Sequence, residues 1–538
     1  MSETLFHGGR IWPGGTAEGV ATSPEALVVR DGRIAWLGSL AEAEAGIGPS
    51  AARIHLEGRA LLPGFVDAHT HFLTGGRKLS CVNLRDAATR EEFRRRVRQD
   101  ALARPAGEWI LGGDWDHESW GGELPERNWI DSVTPDHPVW IHRLDIHMAL
   151  ANSVVLDLAG IDDDTPDPPG GTIVRDHAGR ATGILKDAAM ALVERVMPTP
   201  SRADRLNWLQ AAAQHALSLG VTQVHDVDGW ESLLLYRSAH TADSPLPLRI
   251  YAAVPTPTWT DLRELIDDSG RGDDRLWWGG LKAFVDGSLG SLTAWFHDPY
   301  ADDPTNTGLV VTDLDELEAQ MLAADQSGLQ CITHAIGDRA NDWLLDVCQA
   351  MAERNGPRDR RTRIEHAQHL SATAIPRFQQ LGVIASMQPA HAADDGRWAH
   401  RRLSADQISR TYPIASLERA GAHLAFGSDW TVAALNPLPA LQAAVTRIPW
   451  DGSLPGGWVP QERINLETAL RAHTFGSAYA GFSEGRTGSL APGMAADLVI
   501  LDRDPFAVRP TELSSLLVDY TFVGGQLVYS RTATDGVE

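Results

Sequence analysis

His69 and His71 stand two residues apart after the apolar run LLPGFVDA, and their type and spacing suit a metal ion. In a β-strand residues i and i+2 project to one side, so both imidazoles would face one point. Further ligand-type residues follow later apolar runs: His334 in CITHAIGD, His366 in RIEHAQH and Asp429 in LAFGSDW. Taken singly, each also reads as a core histidine or a helix cap. Together they fall at the same end of different candidate strands, which is where barrel enzymes carry their sites. Lys282 lies inside GLKAFVDG, where an unpaired ammonium is costly to bury. Reaction with carbon dioxide would turn it into a carbamate, a carboxylate able to bridge two metal ions; a lysine that snorkels or pairs with Asp286 is the alternative. Of the 47 basic residues only Lys78, Lys186 and Lys282 are lysine. Lysine, unlike arginine, can lose its proton and react.

The elements that must position these residues follow from hydrophobic patterning. LLPGFVDAHTH, GVTQVHDVDG, LRIYAAVP, GLKAFVDGS, LQCITHAIGD, RIEHAQH, GVIASMQP and HLAFGSDW read as strands separated by helical patterns. Eight such strands are what a closed parallel barrel needs. The fold class expected is therefore α/β, a (β/α)8 TIM-like barrel over residues 63–484, with an insertion after its first strand at about 80–215. ALVVRDGRIAWLG alternates around Asp31-Gly32 as a hairpin does, and short strands with Gly-rich turns recur after residue 485. Residues 1–62 and 485–538 are thus expected to build one small β-sandwich from both termini.

Composition narrows the class. A formal charge of −24 opposes binding to nucleic acid. No apolar run approaches the ~18–20 residues of a membrane helix, and the first residues do not resemble a secretory signal. The three cysteines lie far apart, without a CxxC pair or a disulfide framework. A cytoplasmic protein acting on a small molecule is the expectation.

HxH, a lysine, two single histidines and an aspartate, in that order, resemble the binuclear sites of the amidohydrolase superfamily. GSLAPGMAADLVILD is similar to that superfamily's GxLxxGxxADLV segment. LLPGFVDAHTHF, LKAFVDGSLGSLTA, THAIGDRA, RIEHAQH and GSDW followed by NPL and AAVTR resemble its N-substituted formamide deformylase-like (YtcJ-like) branch. The resemblance runs almost the whole length and implies hydrolysis of an amide or N-substituted formamide-like C–N bond by metal-activated water. It implies zinc, two ions, the first held by His69, His71 and Asp429, the second by His334 and His366, with N-carboxylated Lys282 between them. Lys186, in the branch motif TGILKDAA, competes for the bridging role. Asp429 would be the catalytic proton carrier. His147 and Asn152 in DIHMALAN, Asp286 and Ser288 past Lys282, and Trp115 and Trp295 are candidate substrate contacts, with Trp120 and Trp430 also near the barrel-mouth motifs. His225, in HDVDG, is a candidate support for a ligand. A homodimer would fit the superfamily. Related deaminases place a glutamate three residues after the fifth-strand histidine, where this chain has Gly337. A mononuclear deaminase, an esterase, lactonase or carbamate hydrolase on the same site, and a scaffold without metal are the alternatives.

Overall fold

Eight runs that are apolar on both faces, free of the in/out alternation of a half-exposed sheet, form a parallel sheet covered on both sides. A computed structural model describes residues 3–15, 24–143, 148–241 and 245–531. The strands are β1 (Phe65–Thr70), β2 (Val221–Asp226), β3 (Arg249–Pro255), β4 (Leu276–Phe284), β5 (Gln330–Ala335), β6 (Arg363–His366), β7 (Ile384–Met387) and β8 (His423–Phe426). Each pairs in parallel with the next, from β1 through β8. Helices such as Trp230–Ala239, Trp259–Ser269, Leu314–Gln326 and Asp338–Asn355 follow β2 to β5 in turn. All eight expected strands are present, and the (β/α)8 class with them.

β8 does not pair with β1 along its length. The seam is closed just beyond its end: the Asp429 N–H donates to the His69 carbonyl at 2.8 Å and the His71 N–H donates to the Trp430 carbonyl at 2.7 Å. The buried Asp67 carboxylate accepts the N–H groups of His69 and Ser428, each at 3.0 Å, and so ties both sides. Gly427 is required here, because a Cβ would stand 2.6 Å from the His69 nitrogen and 2.9 Å from Asp67 Oδ1.

The termini form two further sheets. One holds Glu3–His7, Ala26–Arg30, Arg33–Gly38 and Ala52–His55; the other holds Arg10–Ile11, Ala60–Pro63, Leu498–Leu501, Val518–Val523 and Gln526–Ser530. Phe6, Leu27, Ile34, Leu61, Leu498 and Phe522 share one apolar core between them. In the Ala26–Gly38 hairpin Asp31 and Gly32 both take positive φ, 50° and 79°, as a two-residue turn of matching twist demands. The aspartate of the ADLV motif, Asp497, receives Arg249 of β3 through both nitrogens, at 2.6 and 3.0 Å, and also the Gly524 N–H at 2.7 Å.

Residues Gly75–Ala211 are a separate compact unit interrupting the rest of the chain. Its six-stranded sheet runs in the order Gly171–Arg175, Ala181–Asp187, Met148–Ala151, Val139–Arg143, Ile110–Trp115, Val82–Asn83. Phe93, Trp115, Trp129 and Ile141 pack in one of its cores. Among the described residues no helix is long and apolar enough to cross a membrane.

Breaking a buried ion pair from one side leaves the other charge unpaired, which costs about 3–5 kcal/mol. Asp497→Ala should lower stability by about that amount, read as a shift of the denaturant midpoint. An unshifted midpoint would mean the pair is replaceable by solvent.

Candidate metal centre

The carboxyl ends of β1, β4, β5, β6 and β8 bring His69, Lys282, His334, His366 and Asp429 together, and His71 follows one residue past β1. Donor atoms of His69, His366 and Asp429 all lie within 4.8 Å of one another. Asp429 Oδ1 is 3.6 Å from Nε2 of both His69 and His71. Lys282 Nζ is 3.1 Å from His69 Nε2, and the rings of His334 and His366 are 4.4 Å apart. The tightest grouping therefore crosses the expected division into two ion sites, with His366 in reach of the carboxylate of the other set. His366 and Asp429 both take left-handed backbone, φ 73° and 55°. Such conformations cost energy in residues other than glycine and persist where the surroundings impose them.

Each imidazole has one nitrogen occupied by the protein. His69 Nδ1 meets the Glu365 carboxylate. His71 Nδ1 is 3.0 Å from Asp228, and His366 Nδ1 is 2.8 Å from Gln388 Oε1. His334 Nε2 donates to the Gly287 carbonyl at 3.0 Å. These partners set the tautomers and leave Nε2 of His69, His71 and His366, and Nδ1 of His334, as lone-pair donors. Burial holds His69 and His366 well below the usual imidazole pKa and His334 at about 3, so they are neutral. Burial also lowers Lys282, against the pull of Glu365 and Asp429, to about 8. Four imidazoles, a carboxylate and a lysine that sheds its proton easily form a donor set that fits divalent metal.

Glu365 is anchored in turn. Arg363 Nε donates to it at 2.8 Å and the Ser386 hydroxyl at 2.8 Å, while Arg363 also reaches the Ala68 carbonyl and His225 Nδ1, the latter at 2.9 Å. All of these groups are fully buried. His225 is thus joined to the candidate ligand His69 through Arg363 and Glu365. The sequence reading passed over Arg363 and Glu365, although RIEHAQH carries their signal: two opposite charges at i and i+2 inside a buried strand must face one another. Asp67, Asp228 and Gln388 left no comparable local signal, because their roles arise only across strands.

The expected substrate contacts fare differently. Asn152 is fully buried; its oxygen accepts from Val139 and Val155 N–H, and its amide donates to Thr134 and the His137 carbonyl. It has no capacity left for a substrate and serves as the cap of the Ser153–Ala159 helix. Trp115 is also fully buried, its N–H donating to the Ile141 carbonyl at 3.0 Å, so it is a core residue. The Asp286 carboxylate is filled by the N–H groups of Trp295, Ile336 and Gly337 at 2.8–2.9 Å. It ties the loops after β4 and β5 and forms no ion pair with Lys282, but lies 3.6 Å from His334 Nε2. Ser288 is exposed in a hydroxyl cluster with Ser291 and Thr293, and half-buried Trp295 lies under the Arg339 guanidinium at 4.6 Å. Trp430 packs on Phe72 and His215, and Trp120 on Phe93 and Trp129. His147 lies outside the described residues. Lys186 sits on the strand Ala181–Asp187 of the inserted unit, paired with Met148 and Thr172, and Lys78 pairs with Asp114.

The sequence profile of the Amidohydrolase family matches residues 53–529. The chain is 40% identical to Protein LONG AFTER FAR-RED 3 of Arabidopsis thaliana, over 98% of this chain and 92% of the relative. It is 29% identical to an N-substituted formamide deformylase of Arthrobacter pascens, over 95% of this chain and 96% of that one. The crystal structure of an uncharacterized metal-dependent hydrolase from Pyrococcus horikoshii superposes with a TM-score of 0.77 at 28% identity, covering 95% of this chain and 99% of that chain.

Loss of a group that orients a metal-binding imidazole typically weakens metal affinity about 10–100-fold. Glu365→Gln should do so, measured by competition with a chromophoric chelator. Unchanged affinity would show that His69 is oriented without its charge.

Proposed function

This chain belongs to the amidohydrolase family, and we propose that it hydrolyses an amide or N-substituted formamide-like C–N bond of a small molecule. The observation that carries the reading is the convergence of His69, His71, Lys282, His334, His366 and Asp429 at one end of the barrel, each imidazole with its outer nitrogen occupied.

Two zinc ions would be held there by His69, His71 and Asp429 and by His334 and His366, with Lys282 shared. A divalent ion supplies a Lewis acid for the carbonyl and brings the pKa of a bound water from 15.7 to about 7. Lys282 is suited to carboxylation because burial brings its pKa to about 8, leaving free amine near that pH. Its nitrogen forms the new N–C bond with carbon dioxide and releases one proton, giving a carbamate anion. Asp429, fixed by its backbone bond to His69, accepts the proton of the attacking water and returns it to the leaving nitrogen as the C–N bond breaks. Asp286, through its three backbone N–H partners, holds the loop that includes Gly287, and the Gly287 carbonyl sets the His334 ring.

The deaminase alternative meets a steric obstacle. A side chain at position 337 would start 2.1 Å from the Trp295 carbonyl oxygen, so the glutamate of that mechanism has no room. The similarity to the Arthrobacter pascens deformylase favours C–N over ester cleavage.

The test is turnover of N-substituted formamides and aryl amides beside matched esters and lactones, with metal counted per chain. Zinc-loaded protein should favour the C–N substrates, and Asp429→Asn should lose about 10²–10⁴-fold in kcat, the range of a lost acid–base group. Faster ester than amide turnover would overturn the bond assignment. Separately, protein prepared with bicarbonate should bind about two zinc ions per chain, falling to one or fewer in Lys282→Ala. An equal count in both would remove Lys282 as the bridge.

A further inference from the structure

At the opposite end of the barrel, the first residues of β3, β4 and β5 border a cavity of about 250 Å3 that the hydrolytic reading leaves unused. Trp277 precedes Lys282 by five residues on β4, so the cavity is ~16 Å along the strand from the metal centre, at ~3.3 Å per residue. This volume is below the ~300–1,000 Å3 of pockets for drug-sized ligands and suits a single-ring molecule.

Its walls combine aromatic side chains with positive charge; the Arg486 guanidinium lies 4.8 Å from the Trp277 ring and that of Arg361 4.5 Å from the Phe482 ring. Tyr251 and Trp277 stack at 5.7 Å, and Phe482 lines the same space. The Tyr251 hydroxyl donates to Gln330 Oε1 at 2.8 Å and the Trp277 N–H to the Gly481 carbonyl at 2.7 Å, so their polar atoms are already engaged. Trp278, also in the lining, has a buried indole N–H with no acceptor among the described residues. Arg271 donates to the Gly328 carbonyl at 2.8 Å and has no carboxylate partner among the described residues. Burial, with the charges of Arg263 and Arg358, disfavours its cationic form. Arg358 and Arg360 share a single buried carboxylate, Asp325, through contacts of 2.7 and 2.9 Å to the same oxygen. Asp359 on the lining is engaged by Arg361 at 3.0 Å.

Two glycines lie against the guanidiniums. A Cβ at Gly279 would lie 2.1 Å from Arg271 Nη1, so the tip of this side chain rests on the glycine. A Cβ at Gly328 would be 3.7 Å from Arg358 Nη1 and 3.9 Å from Arg271 Nη2, which places both cations beside one backbone position.

We propose that this cavity is a second binding site, distinct from the metal centre, for a small aromatic carboxylate. The carboxylate pairs with Arg271, with Arg358 adding charge, and the ring lies among Tyr251, Trp277 and Phe482. Arg271 is exposed and donates to a backbone carbonyl, so an anion there gives it the carboxylate partner it lacks among the described residues, and charge-assisted pairing of arginine with carboxylate is among the stronger polar contacts.

The probe is benzoate, titrated calorimetrically into the zinc-loaded full chain, with benzyl alcohol and inorganic phosphate as comparisons. Saturable one-to-one binding of benzoate is expected, at least tenfold weaker for benzyl alcohol and phosphate, and at least tenfold weaker in Arg271→Gln. Trp278→Phe, which removes the indole N–H together with the pyrrole ring, should weaken it several-fold in a protein that keeps its fold by circular dichroism. Benzoate binding should persist in Asp429→Asn. Absence of binding, equal affinity for phosphate, indifference to both cavity variants, or loss in Asp429→Asn would each overturn the proposal; the last would put benzoate at the metal centre and leave the hydrolase reading intact.

Discussion

The barrel is closed where its chemistry is. The first and last strands meet through two backbone hydrogen bonds, between Asp429 and His69 and between His71 and Trp430. The residues making them are three proposed metal ligands and the tryptophan beside them. Asp67 ties the same seam from below, and Gly427 lets the strands approach. Strand order, register and left-handed backbone at Asp429 thus act on one requirement: the aspartate's carboxylate must reach the imidazoles of β1. A barrel that failed to close would also fail to assemble the site.

Charge burial is the second constraint. Lys282, Arg363, Glu365 and Asp67 all sit in the interior, where an unpaired ion is strongly disfavoured. Arg363 and Glu365 neutralise each other and spend their remaining hydrogen bonds on His225, Ser386, Ala68 and His69. The pair is therefore a rigid strut under a ligand, and its value is orientation more than stability. Among the described residues Lys282 has no such mate: its hydrogen-bond partner is a neutral imidazole. The same desolvation that keeps His69, His334 and His366 unprotonated lowers the pKa of this lysine, so it loses its proton more readily.

The remaining parts have cores of their own. The terminal sandwich is bound to β3 through Asp497 and Arg249, which gives the ADLV motif a structural purpose. The inserted unit has its own sheet and apolar cores, with Asn152 and Trp115 serving its internal packing.

Much of the fold was legible in the chain because its signals are local. Apolar runs separated by helical patterns marked all eight strands, and the Asp31-Gly32 turn marked its hairpin. Side-chain type and position in a strand are properties of a few consecutive residues, so the candidate ligands could be named from sequence. What holds those ligands could not, apart from the Arg363–Glu365 pair. The contacts of Asp67 with Ser428, Asp228 with His71, and Gln388 with His366 join residues remote in the chain, and only closure of the barrel decides them. The same holds for Asp286, which by sequence faced Lys282 or a substrate and in three dimensions meets three backbone N–H groups, one of its own loop and two of the loop after β5. Local composition determined which residues were available for chemistry; the tertiary structure decided which of their polar atoms were left free to perform it, because a hydrogen-bond partner is a matter of spatial neighbours.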